Sequence, residues 1–260
     1  MKSSNPVLSR PDAFSRGGYA TWNPEPSVST APYGATYGAG PVDTRRMTID
    51  DVVIRTGMLL ATVFVTGAAA WVFQVGFGVA VMAMLAAFVI ALIVSFKRVI
   101  SPPLILTYAA LEGVALGAIS RFFEASYGGI VVQAVLATMM TFAGMLFAYK
   151  SGRIRVTPRF QKMVIGAMFG LLGLMLVNLV AGFFIDGGLG LRDGGPLAII
   201  FSLVAIGVAA LSLALDFDMV ERGVAAGAPE KESWLAAFGL VVTLVWLYVE
   251  MLRFISYFRD

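Results

Sequence analysis

The sequence predicts an all-α membrane protein, a seven-transmembrane helix bundle behind a disordered N-terminal tail. Three observations predict it. The 260-residue chain is 58% hydrophobic and only 13% charged, whereas soluble domains carry about a quarter charged residues. Beyond residue 50 the chain falls into long apolar runs, each near the ~20 residues needed to cross the hydrocarbon core. Before residue 50 it is rich in Ser, Pro, Gly and Tyr, as in Trp22-Asn23-Pro24-Glu25-Pro26. That composition lacks the periodic apolar surface needed to offset chain ordering.

The division is therefore 1–50 as a cytoplasmic tail and 51–260 as the transmembrane domain. The tail has no hydrophobic segment near Met1 of the kind a cleaved signal peptide needs. Thr48 suits an N-cap, with Asp50 and Asp51 in the first turn, where the helix dipole favours anions. The spans are expected at roughly 56–75, 78–96, 103–122, 130–149, 163–185, 196–216 and 233–255. Gly76-Phe77-Gly78 reads as a tight hairpin between the first two. Pro102-Pro103 and Pro196 open the third and sixth spans, since proline suits a helix's first turn. Gly113–Gly117 and the Gly166/Gly170/Gly173 set are spaced for close helix approach in lipid, or alternatively for a pore lining.

Orientation follows the positive charges. With the tail inside, fifteen Lys/Arg fall on the inner side and four, Arg121, Arg192, Arg253 and Arg259, on the outer. That bias favours seven spans with the C-terminus outside. A six-span variant with a re-entrant last segment is the alternative, because Arg253 and Arg259 prefer the cytoplasm.

There is no cysteine and no histidine. Thiolate metal sites, disulfides, the usual general base and the usual pH switch near neutrality are thereby excluded. No phosphate loop, dinucleotide fingerprint or nucleophile elbow occurs. Asp193 and Asp216 fall on opposite sides of the bilayer, too far apart for a protease pair. The expectation is that the chain is not an enzyme and holds no resident cofactor. The net charge of +3 reads as cytoplasmic flanks of a protein in the bilayer, not as a nucleic-acid surface.

Ionisable residues inside spans are costly, about 3 kcal/mol at the bilayer centre on insertion scales. Glu112 lies roughly 14 Å into the third span, near the midplane. It reads either as a cation or proton relay site or as a protonated acid bonded to a neighbouring group. Asp216 and Asp218 are expected to end the sixth span, at the unfavourable end of the helix dipole. Being two apart, they point to different sides of it. Glu250 is expected to pair with Arg253, and Asn178 to hydrogen-bond between helices.

The stretch Ser101-Pro102-Pro103 through Thr107-Tyr108-Ala109-Ala110-Leu111-Glu112-Gly113 to Ser120 resembles the third-helix motif of the Bax inhibitor-1 family, also called the transmembrane Bax inhibitor motif or YccA-like family. Ala214-Leu215-Asp216-Phe217-Asp218-Met219 is similar to that family's sixth-helix signature, and Trp246 to Phe254 to its last helix. The likeness covers roughly residues 50–260 and points to a bacterial, actinobacterial branch.

The resemblance implies seven helices and, as in some members, a pH-sensitive calcium leak across the plasma membrane. In those members an aspartate pair on the sixth and last helices is the sensor. Asp216 matches the first; the second falls at Thr243, which is not an acid, so a carboxylate pair is not available. Lys97 or Arg98 is then expected to hold Asp216 as a salt bridge. Asp216 and Glu112 are the candidate calcium ligands, as oxygen donors suited to passage of the ion. The rival expectation is a non-conducting regulator that binds another membrane protein, such as a membrane protease complex, through the tail.

Overall fold

A computed structural model of the chain describes residues 45–97 and 100–259. Tail residues 1–44 and the candidate Arg98 lie outside the described residues. Seven helices follow in order: α1 Ile49–Val72, α2 Phe77–Lys97, α3 Pro102–Ser126, α4 Ile130–Lys150, α5 Pro158–Ala181, α6 Pro196–Ala225 and α7 Glu232–Ser256. All seven are long and apolar enough to cross a membrane.

Local chemistry accounts for the helix starts. Thr48 caps α1 in a reciprocal capping box with Asp51. Pro102, Pro158 and Pro196 stand in the first turns of α3, α5 and α6. The fifth helix begins five residues before the expected 163, because the Thr157 hydroxyl accepts from Phe160 N at 3.2 Å and caps it. The first hairpin also differs from expectation. Phe77 belongs to α2, and the chain turns just before it at Gln74, whose φ is 53°.

The two ends of the bundle are marked by contacts far apart in sequence. At one end Met47 N donates to Ala228 O (2.8 Å) and Glu230 N to Arg45 O (2.9 Å), so the lead into α1 lies along the α6–α7 loop. Residues 45–50, assigned by composition to the tail, are thus tied into the bundle. At the other end Arg259 Nη1 donates to Gly128 O in the α3–α4 turn, at 2.7 Å. The last helix therefore runs the full way across, and the re-entrant alternative falls.

α7 is the centre of the bundle and packs against α1, α3, α4 and α6. Its core face carries Ala237, Val241, Leu247 and Leu252, all fully buried. The closest helix approach is between α1 and α3. A Cβ on Gly113 would stand 2.4 Å from Val63 O, and one on Gly117 would stand 2.2 Å from Gly67 O. Only glycine permits those crossings. The α5 glycines behave otherwise: Gly166, Gly170 and Gly173 have nothing within 4 Å of an added Cβ. Among the described residues the same spacing there meets no neighbour, because α5 sits at the periphery and packs mainly against α6.

Candidate functional site

Asp216 does not end its helix. α6 continues to Ala225, placing Asp216 about 14 Å short of the helix end at 1.5 Å per residue. The chain holds no proline between Pro196 and Pro229, and the helix stops only where Gly227 takes a φ of 64°. The carboxylate is therefore clear of the terminal carbonyls, and the dipole argument for it does not apply.

From that position Asp216 faces α7. The Thr243 hydroxyl donates to Asp216 Oδ2 at 2.7 Å, a length typical of a hydroxyl donating to a carboxylate. The residue expected at the place of a second aspartate thus supplies a neutral partner for the first. Among the described residues no Lys or Arg lies within salt-bridge distance of Asp216. The expected salt bridge from Lys97 does not form, because the Lys97 side chain is exposed at the end of α2. Asp218 points away from Asp216, as its two-residue offset requires, and pairs with Arg222 one turn on at 2.8 Å.

Glu112 is half-buried on α3, about 15 Å along the helix, and makes no hydrogen bond or ion pair among the described residues. It is not brought to Asp216: α3 and α6 are not packing neighbours, and α7 packs against both. Among the described residues no three acids gather as a metal site.

Among the cavities of the bundle are two that neither Asp216 nor Glu112 lines. The larger, about 1710 Å³, is a cleft between α1 and α4 that runs from Ile49 to Val72 along α1. Its walls are apolar for most of that length. The charged residues lining it, Lys150, Arg155, Asp218 and Glu221, stand at the end where α1 begins.

The smaller cavity, about 390 Å³, lies among α5, α6 and α7, with Arg192 and Glu250 on its wall. Glu250 is 3% exposed and does pair with Arg253 at 2.9 Å. It also receives Arg192 at 3.1 Å and the Ser202 hydroxyl at 3.4 Å. This buried cluster joins the α5–α6 loop to two helices. Its long-range members carry no local sequence signal, since Arg192 lies 58 residues from Glu250. Asn178 does not bond between helices. Its side-chain oxygen accepts from Leu189 N at 2.9 Å, pinning the loop that follows its own helix.

A second ion pair missed by sequence reasoning closes the opposite end. Arg55 on α1 donates to the Glu230 main-chain carbonyl and carboxylate, and its guanidinium lies 5.2 Å from the centre of the Trp234 ring. Both pairs bridge segments that fold together only through the bundle.

Among curated proteins, none matches this chain. The family comparison is decisive: the Bax inhibitor 1 like family matches residues 5–260, agreeing with the third-, sixth- and last-helix motifs and with the seven-helix bundle. The chain belongs to the Bax inhibitor 1 like family.

Proposed function

We propose that this protein is a passive cation leak, carrying calcium across a bacterial plasma membrane, with its N-terminus cytoplasmic. The observation that carries the reading is Asp216. It is an acid held at the α6–α7 contact by a neutral hydroxyl, with no described base to cancel its charge. An intramembrane acid in that state favours an entering cation, and intramembrane acids commonly mark ion paths. Family membership supports the reading, because Asp216 stands where the resemblance places the first sensor aspartate. The inner placement of the tail rests on the excess of Lys and Arg on that side.

The test is calcium entry into dye-loaded liposomes holding purified protein, wild type beside Asp216→Ala. Flux above empty liposomes that changes in Asp216→Ala supports the leak; no flux from either protein at pH 6 or pH 8 overturns it.

One observation favours a second reading. Neither of these two cavities joins Asp216 to Glu112, and α7 stands between the helices that carry them. A non-conducting regulator that binds another membrane protein needs no path between them. Co-purification of a membrane partner through the tail, from a protein silent in the flux assay, is the outcome that reading requires.

A further inference from the structure

The cleft between α1 and α4 is too large and too apolar to stand empty in a bilayer. Its walls include Leu60, Val135 and Met139, all three of them exposed. Water gains little from such a surface, whereas hydrocarbon matches it. The cleft is flanked by helices that face lipid, so its occupant can enter sideways from the membrane.

The charges at one end select the kind of occupant. Four charged residues line that end, and both acids are already engaged. Asp218 holds Arg222 at 2.8 Å, and the Tyr149 hydroxyl donates to Glu221 at 2.5 Å. Lys150 and Arg155 are exposed and have no hydrogen bond or ion pair among the described residues. The Tyr149 hydroxyl does not cancel the Glu221 charge, so Lys150 and Arg155 outweigh it and leave the mouth with a net positive charge of one. It sits where the headgroup of a lipid would lie if its chains filled the cleft.

We infer that the α1–α4 cleft is a binding site for an anionic phospholipid. Its phosphate is held by Lys150 and Arg155, and its acyl chains lie along α1 and α4. The lipid belongs to the leaflet on the side where α1 begins. α1 is about 36 Å long at 1.5 Å per residue, and the hydrocarbon core is about 30 Å thick. One lipid thus fills roughly the half of the cleft nearest the basic pair. The bound lipid completes the wall between α1 and α4, so the cleft is not a water path, whatever route an ion takes elsewhere. This inference stands apart from the leak reading.

The test uses the full chain in nanodiscs doped with phosphatidylglycerol bearing a photoreactive diazirine in one acyl chain, beside a phosphatidylcholine analogue. Cross-links are mapped by peptide mass spectrometry. Phosphatidylglycerol is expected to label cleft residues near the basic pair, such as Val53, Leu60 and Leu146, above the outward faces of α2 and α5. The Lys150→Gln/Arg155→Gln double variant should lower that labelling roughly thirtyfold, the scale of two basic side chains at an anionic headgroup. Phosphatidylcholine labelling should not change between the two proteins. Gly57 lines the cleft with open space around it, so Gly57→Phe should block labelling without touching the charges.

Three results overturn the proposal. One is cleft labelling no greater than that of Met82 or Phe169 on the outward faces. Another is phosphatidylglycerol labelling indifferent to the double variant. The third is a disulfide-linked dimer of Met139→Cys, a clean probe in a chain without cysteine, because it would seat a second copy in the cleft.

Discussion

Thr243 and Asp216 are joined across the α6–α7 interface by one 2.7 Å hydrogen bond, from the Thr243 hydroxyl to Asp216 Oδ2. A hydroxyl can steady a carboxylate but cannot cancel its charge. The contact therefore joins the two helices without neutralising the acid, and its removal should be felt in stability.

Thr243→Val keeps the shape and removes the donor. It leaves the half-buried Asp216 oxygen unpaired, at a cost of about 1–3 kcal/mol. The expected outcome is a lower unfolding temperature in detergent, with Thr243→Ser close to wild type. Destabilisation by Thr243→Ser with Thr243→Val close to wild type would show that the methyl packing, not the hydroxyl, is what matters.

Thr243→Asp places a second carboxylate beside the first. Two acids at hydrogen-bond distance share one proton in acid and repel in alkali. The variant should therefore lose thermal stability between pH 6 and pH 8, where wild type changes little. If the protein leaks calcium, the variant's flux should acquire a pH step that wild type lacks. Parallel pH profiles for the two proteins would contradict this.

The α1–α3 crossing makes a sharper mutational contrast. Gly117→Ala drives a methyl to 2.2 Å from Gly67 O, and Gly113→Ala drives one to 2.4 Å from Val63 O. Overpacking of this kind costs about 1–3 kcal/mol or more, because backbone must shift. Gly170→Ala meets nothing and should be neutral or gain up to ~1 kcal/mol from helix propensity. Denaturant unfolding of the three variants side by side measures the difference.

Glu250→Ala removes the acid that holds Arg192 and Arg253. Breaking a buried pair by deleting one partner costs on the order of 3 kcal/mol. Glu250→Leu combined with Arg192→Met should recover much of that loss, since only the half-buried Arg253 then loses its partner. A double variant as unstable as Glu250→Ala would mean that Arg253 alone sets the cost.

The helices were legible because the membrane permits few alternatives. Apolar length gives the number of crossings, and Thr48, Pro102 and Pro196 mark three starts through chemistry local to each. The end of α6 was not legible in the same way. Asp216 and Asp218 resemble a membrane exit in sequence, yet nothing at those positions breaks a helix. Gly166 and Gly170 show the limit of motif spacing: they repeat the interval of Gly113 and Gly117 but face no neighbour. Whether a small residue is needed depends on what crosses it, and that is a property of the fold. The Asp216–Thr243 contact was half legible. The family resemblance placed Thr243 opposite Asp216, but only the coordinates show the hydroxyl turned to the acid. Arg192–Glu250 and Arg55–Glu230 were invisible, since each joins segments far apart in the chain.

The contact of Arg45 and Met47 with Ala228 and Glu230 gives the bundle a mechanical handle. The strap it forms lies along the loop that joins α6 to α7, the helices that carry Asp216 and Thr243. Tension applied at Arg45 is therefore shared between the start of α1 and the loop that joins the helices of Asp216 and Thr243.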